Sequence, residues 1–122
     1  MTTWIRCHWK EEDVWFFFEL DGNGQVTRQI ELQGPELIPI AAASLAEWLE
    51  AQATGRLADY ESEFGLTAQI PISEWQGHSP EALTPMAFED AWVAARRDIV
   101  LRRTSLPMAP ERSGRRSSES SL

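Results

Sequence analysis

Residues 3–9 alternate between two sets of side chains, and this period of two predicts a β-strand. The odd positions are mainly apolar, whereas the even positions are Trp4, Arg6 and His8. A short polar connection leads to residues 14–20, which are apolar or aromatic at odd and even positions alike, apart from one glutamate. Because a strand with one face in water alternates, we expect both faces of this second strand to be at least partly covered.

The two strands are close enough in sequence to pair as an antiparallel hairpin in which Trp9 lies opposite Val14. This register divides the side chains between two faces, one of which is mainly apolar. The other face, here called the aromatic face, consists of Trp4, Arg6, His8, Trp15, Phe17 and Glu19. The register places His8 beside Trp15, and cross-strand neighbours of this kind attract each other.

Turn-forming residues 21–24 follow the second strand, and an alternating third strand comes after them. Two registers are compatible with this second hairpin. A two-residue Asn-Gly turn places Glu19 opposite Arg28, whereas a five-residue loop places Leu20 opposite Val26. We favour the two-residue turn because it pairs a carboxylate with a guanidinium group.

Helical spacing of apolar residues replaces the alternation in the second half of the chain. An irregular link is expected first, at 35–43, because it contains two prolines. Helices are then predicted at 44–54, 56–64 and 84–104, and a glycine follows each of the first two. A fourth strand is predicted at 67–72 and assigned to a sheet edge, because its proline cannot donate a ladder hydrogen bond.

Two of the helices begin with capping signals. Ser44 and Glu47 have the spacing of a capping box, in which each side chain accepts a hydrogen bond from the backbone N–H of the other. Thr84 is the predicted N-cap of the last helix, and Pro85 fits the first helical position. Arginines in the second half of that helix, beginning with Arg96, are expected to complement the helix dipole.

These elements predict an α+β domain over residues 1–106. Its core is a three- to four-stranded, mainly antiparallel β-meander packed by two short helices and one longer C-terminal helix. Residues 107–122 are rich in Arg and Ser and are expected to form a disordered tail. Two arrangements stay open for the aromatic face: either the last helix packs over it, or it is exposed.

Charge is distributed unevenly along the chain. Residues 1–95 carry 16 acidic side chains against four Lys and Arg, residues 96–122 carry seven Arg against three acidic side chains, and the net charge is −8. An acidic body disfavours nucleic acid as a ligand of the folded domain and suits a basic protein partner. No apolar run approaches the roughly 20 residues that span a bilayer, so we expect no membrane association and a cytoplasmic location.

The sequence contains no recognisable catalytic pattern, so an enzymatic role is the less favoured hypothesis. Cys7 and His8 are adjacent on a strand, and their side chains therefore point to opposite faces. One Cys and two His cannot complete a closed four-ligand zinc site without carboxylates. We expect no metal and no cofactor, and we expect Cys7 to lie in the core.

Six tryptophans are the most unusual feature of the composition. Aromatic and arginine side chains beside charges are typical of protein-binding hot spots. The predicted partner-binding residues are Trp4, Arg6, His8, Trp15, Phe17, Glu19 and, in a loop, Trp75. The alternative is a small-molecule-binding or enzymatic domain whose Trp-lined pocket, between sheet and helices, contains His8 or His78. A third hypothesis is a homo-oligomer formed through the aromatic face.

Two segments resemble a bacterial family of small uncharacterised α+β proteins. The first is Phe-Glu-Leu-Asp at 18–21 with Val-Thr-Arg-Gln-Ile-Glu at 26–31, and the second is Gln-Ile-Pro-Ile at 69–72 with Leu-Thr-Pro-Met-Ala-Phe-Glu-Asp-Ala-Trp at 83–92. Residues 35–65 depart from the family pattern by two inserted helices. The resemblance implies no catalytic residues, and it implies an immunity- or antitoxin-like protein that binds and blocks a partner.

Overall fold

The structure is a computed structural model that describes residues 1–67 and 80–105. The elements in chain order are β1 (Thr3–Trp9), β2 (Val14–Leu20), β3 (Val26–Gln33), β4 (Ile38–Ser44), α1 (Leu45–Ala53), α2 (Leu57–Phe64), β5 (Glu81–Ala82) and α3 (Pro85–Ser105). The strands form one antiparallel sheet in the order β4-β3-β2-β1-β5. The predicted α+β class, with two short helices and one longer C-terminal helix, is confirmed. The predicted tail, 107–122, lies outside the described residues.

Both hairpins have the predicted pairing along their strands. Trp9 lies opposite Val14 in the first, and Glu19 lies opposite Arg28 in the second. The tip of the second hairpin differs from the prediction, because a β-bulge next to Glu19 lets Leu20 pair with Val26 across a five-residue loop. The carboxylate of Asp21 accepts hydrogen bonds from two backbone N–H groups of this loop, at 2.8 and 3.0 Å, and so stabilises the longer reversal.

The predicted irregular link at 35–43 is wrong, because most of it belongs to strand β4. Three consecutive alanines in β4 are at most 7% exposed, so both faces of the strand are covered and no alternation of polar residues marks it. Pro39 is tolerated because β4 is an edge strand. Apart from Thr67, the strand predicted at 67–72 lies outside the described residues.

The three helices begin and end within two residues of their predicted limits. Thr84 Oγ1 accepts a hydrogen bond from the N–H of Ala87 at 3.0 Å, as expected of an N-cap. Ser44 Oγ accepts from the N–H of Glu47 at 3.4 Å, but the return half of the predicted capping box is wrong. The N–H of Ser44 donates instead to the hydroxyl of Tyr60, at 2.9 Å, because Glu47 is turned towards α3.

Two apolar clusters fill the sheet faces. The first comprises Cys7, Val14, Phe16, Phe18, Leu20 and Val26. The second joins the sheet to α3 and comprises Ile30, Leu32, Ala42, Phe88, Ala95 and Ile99. Trp4, Trp15 and Phe17 pack at the margin of the second cluster, so α3 lies on the side of the aromatic face. Within the described part of the chain, no helix is long and apolar enough to cross a membrane.

Candidate functional site

The inner part of the aromatic face, here defined as Trp4, Phe17 and Glu19, is tied to the helix α3. Glu19 lies opposite Arg28 on β3, and that guanidinium group donates two hydrogen bonds to it, at 2.9 and 2.6 Å. Trp4 donates its indole N–H to the same carboxylate at 3.0 Å. Arg28 also pairs with Glu89 on α3, so one arginine links the sheet to the helix. The Glu19 carboxylate therefore already accepts hydrogen bonds from side chains within the fold.

Arginine and aromatic side chains hold α3 on the sheet. The guanidinium carbon of Arg28 lies 4.9 Å from the ring centroid of Phe88 and 5.1 Å from that of Trp92. The guanidinium carbon of Arg96 lies 4.4 Å from the ring centroid of Trp92 and 3.8 Å from that of Phe64 on α2. Contacts of this kind strengthen as water is excluded. We call Arg28, Phe64, Phe88, Trp92 and Arg96 the helix clamp.

Ion pairs with the two arginines of the helix clamp shift the pKa of Glu19 and of Glu47. Hydrogen bonds from Arg28 hold the pKa of Glu19 below its ordinary value, although burial acts in the opposite direction. Burial also pushes the pKa of Glu47 upwards, but hydrogen bonds from Arg96 and Tyr60 outweigh it, and the pKa is lowered. Both carboxylates are therefore stabilised in their charged form by arginines of the clamp.

The outer part of the aromatic face, which we call the open corner, has a different environment. It consists of Arg6, His8 and Trp15 from the aromatic face together with their hydrogen-bonded neighbours Asp13 and Glu81. The ring of His8 stacks on Trp15, with centroids 4.6 Å apart and planes inclined by 14°. His8 Nε2 lies 2.9 Å from Asp13 Oδ1, which fixes the orientation of the imidazole. Partly exposed rings in a fixed orientation make a surface that a partner can contact.

Arg6 completes the open corner. Its guanidinium carbon lies 4.9 Å from the centroid of Trp15, and its Nε donates to Glu81 Oε1 at 2.8 Å. The Arg6 and Glu81 side chains are 42% and 57% exposed, compared with 19% for Arg28 and for Arg96. The same combination of arginine, aromatic ring and carboxylate therefore occurs in a covered form and in an accessible form.

Local backbone geometry positions the two carboxylates of the open corner. Asp13 ends the β1–β2 turn with a φ of +50°, and its N–H donates to the carbonyl of Lys10 at 3.2 Å. This left-handed conformation suits Asp better than a β-branched residue. Glu81 is held by backbone pairing, because β5 places it directly opposite Arg6.

Six of the seven predicted site residues can be placed, and Trp75, like His78, lies outside the described residues. The structure separates the six into two groups: Arg6, His8 and Trp15 in the open corner, and Trp4, Phe17 and Glu19 beside the helix clamp. Asp13 and Glu81 were not predicted as site residues. Asp13 lies five positions from His8 across a tight turn, which is a signal that was available in the sequence. A strand of two residues, such as the one that contains Glu81, leaves no pattern to detect.

Two cavities bear on the alternative of a Trp-lined pocket. One of about 230 Å³ lies between α1 and α2 and is bordered by Tyr60, whose pKa burial raises to about 12. A more open one of about 410 Å³ lies between the start of β4 and the end of α3. Neither is lined by tryptophan or by His8. Among the described residues, no group of three or more His, Cys, Asp or Glu side chains is arranged to hold a metal ion.

Comparisons of the chain with models of protein families, with curated proteins and with solved structures found no match. The resemblance described under Sequence analysis therefore stays a prediction. Since one architecture can carry unrelated activities, the case for a function rests on the chemistry of the open corner.

Proposed function

We propose that this chain is a small, acidic, cytoplasmic protein-binding module, of the immunity or antitoxin type, that engages a basic partner through the open corner. One observation carries the proposal. The stack of Arg6, Trp15 and His8, in which the Arg6 side chain is 42% exposed, lies at the outer part of a face whose inner part is bound to α3. Trp and Arg side chains supply a large share of the binding energy in protein interfaces.

Charge favours a basic partner over an acidic one. Exposed Glu11 and Glu12 lie in the turn beside Asp13, and Glu81 borders the opposite side of Arg6. With a net charge of −8, the chain attracts cationic surfaces at long range. Such attraction speeds up association and weakens as salt is added.

The proposal assigns no binding role to the inner part of the aromatic face. Trp4 donates a hydrogen bond to Glu19, and Glu19 also accepts one from Arg28. Phe17 packs against the cluster under α3. A partner could engage the polar groups of Trp4 and Glu19 only by breaking these hydrogen bonds. The contact surface is therefore smaller than the whole aromatic face.

Affinity capture with the intact chain tests the proposal. A double variant, Asp13→Asn with Glu81→Gln, removes two charges from the open corner without changing side-chain size. The matched control, Asp59→Asn with Glu50→Gln, removes two charges from exposed positions on α1 and α2. We expect the corner variant to lose a partner that the control retains, and we expect salt to weaken the wild-type complex. Equal capture by both variants, or a complex insensitive to salt, would contradict the proposal.

The alternative of a small-molecule or enzymatic site has one feature in its favour. His8 and Asp13 form the kind of hydrogen-bonded pair that acid–base catalysis uses. However, His8 lines neither of the two cavities described above, and a small-molecule site is usually concave. Measuring the mass of the chain in solution separates the remaining hypothesis, self-association through this face, from binding to another protein.

A further inference from the structure

We propose that Trp15 and Glu81 form a binding site for a guanidinium group of the partner, and that Arg6 occupies this site in the free chain. This inference rests on the proposed function and names the chemistry of the contact. An aromatic ring face with a carboxylate at its side is the arrangement that binds guanidinium groups through cation–π contact and a charge-assisted hydrogen bond. Arg6 makes both contacts, at 4.9 Å to the ring centroid and 2.8 Å to the carboxylate.

The site persists when Arg6 moves away. Backbone pairing between β1 and β5 holds Glu81 beside the sheet, and the N–H of Leu83 reinforces this pairing by donating to the carbonyl of Trp4 at 2.8 Å. Trp15 is fixed by its stacking on His8 and by its packing against the cluster under α3. The ring of Trp15 and the backbone of Glu81 are therefore positioned independently of the guanidinium group between them.

Comparison with the helix clamp shows why Arg6 is the exchangeable arginine. Arg28 and Arg96 are 19% exposed, and each bonds a carboxylate while stacking on two rings. Arg6 is 42% exposed and stacks on one. Exposed ion pairs and exposed cation–π contacts are individually weak, because water and salt screen them. A guanidinium group from outside can therefore compete for the contacts of Arg6 more easily than for those of Arg28 and Arg96, which are less exposed and make more contacts.

Neighbouring charges favour this exchange. Exposed Glu11 and Glu12 lie in the turn next to Asp13, and these three carboxylates attract an additional cation whether or not Arg6 has left. When Arg6 is displaced, its side chain is long enough to extend into water without leaving a buried charge. The exchange thus exposes no unpaired group in the interior.

The test is a titration of the full chain with acetyl-tetra-arginine amide, followed by the NMR signal of the Trp15 indole. Arg6→Gln empties the proposed site, and Arg56→Gln removes the same charge from an exposed position at the start of α2. We expect Arg6→Gln to bind the peptide at least about fivefold more tightly than Arg56→Gln, because a competing internal cation has been removed. Arg6→Lys keeps a cation there and should be intermediate. Adding Glu81→Gln to Arg6→Gln should abolish the gain.

Equal affinities for Arg6→Gln and Arg56→Gln would overturn the inference, since they would show that only net charge matters. A gain that survives Glu81→Gln would also overturn it. The proposed function fails in a different way: the titration would succeed while affinity capture showed no dependence on the open corner. Conversely, affinity capture could depend on the open corner although Arg6→Gln binds the peptide no more tightly. The proposed function would then stand, and the guanidinium exchange would be rejected.

Discussion

The helix clamp and the open corner use the same chemistry with opposite results. In both, an arginine lies over an aromatic ring and binds a carboxylate, at 2.9 Å from Arg28 Nε to Glu19 and 2.8 Å from Arg6 Nε to Glu81. They differ in cover, because side chains of α3 pack over Arg28, whereas Arg6 is 42% exposed. An arginine–aromatic motif is thus structural or available for binding according to what packs above it, and the motif itself does not reveal which.

The position of α3 on the sheet determines which part of the aromatic face is covered and which part is exposed. Phe88 and Ala95 are fully buried against the sheet, and small alanines let the helix backbone approach closely. Arg96 Nε donates to the carbonyl of Ala42 at 2.8 Å, which also satisfies a backbone acceptor of the edge strand β4. The helix is therefore fastened along β3 and β4, and the open corner lies on the same face towards the opposite edge of the sheet, where β1 pairs with β5.

A variant in the region covered by α3 is expected to change the stability of the fold most. Phe88→Ala removes a fully buried ring that also lies under Arg28, and we expect it to lower the free energy of unfolding by about 3–5 kcal/mol. Met86→Ala, two residues earlier and 69% exposed, is the control and should change it by less than about 0.5 kcal/mol. Urea denaturation measures both, and similar losses in the two variants would contradict the assigned packing of α3.

A smaller loss of stability is expected when either of the two arginines, Arg28 or Arg6, is replaced. Arg28→Met leaves the Glu19 carboxylate, which is 16% exposed, without its main partner, and we expect a loss of about 2–3 kcal/mol. Arg6→Met breaks an exposed pair and should cost less than about 1 kcal/mol. Both are read from the midpoint of urea denaturation. A larger loss for Arg6→Met than for Arg28→Met would reverse the assignment of the covered and open regions.

The smallest effect is a pH dependence of stability. The pKa of Glu19 is lower in the folded chain than its ordinary value of 4.5, so its charge stabilises the fold above that value. This contribution is lost as the pH falls through the folded-state pKa, and Glu19→Gln should flatten the stability curve there. Burial raises the pKa of Glu31, so Glu31→Gln should act with the opposite sign and stabilise the fold at pH 7. Parallel curves for wild type and Glu19→Gln would contradict the account.

Much of the fold could be predicted from local patterns, and the failures have physical causes. Alternation and short connections were sufficient to place Trp9 opposite Val14 and Glu19 opposite Arg28. Strand β4 was missed because a strand of small residues covered on both faces has no alternation. The five-residue hairpin tip depends on hydrogen bonds to Asp21, which sequence spacing does not reveal.

The candidate site could be predicted only in part. The sequence identified the aromatic face correctly as a set of neighbours on two strands, because pairing follows from register. It left open how much of that face α3 covers, since the periodicity of a helix shows its apolar side and not where it lies on a sheet. Arg96 was assigned to the helix dipole, but it bonds Glu47 and the backbone of Ala42, a contact between residues far apart in the chain.

The division of the aromatic face into a covered part and an open corner can be tested by NMR. The measurement is the rate at which the Nε–H groups of three arginines exchange with solvent. Arg6, Arg28 and Arg96 each donate a hydrogen bond from Nε, at 2.8, 2.9 and 2.8 Å, so they differ mainly in burial. We predict that Arg28 and Arg96 exchange at least about tenfold more slowly than Arg6, because their side chains are 19% rather than 42% exposed and are held by the contacts between α3 and the sheet. Equal rates for all three would contradict the division of the aromatic face into a covered part and an open corner.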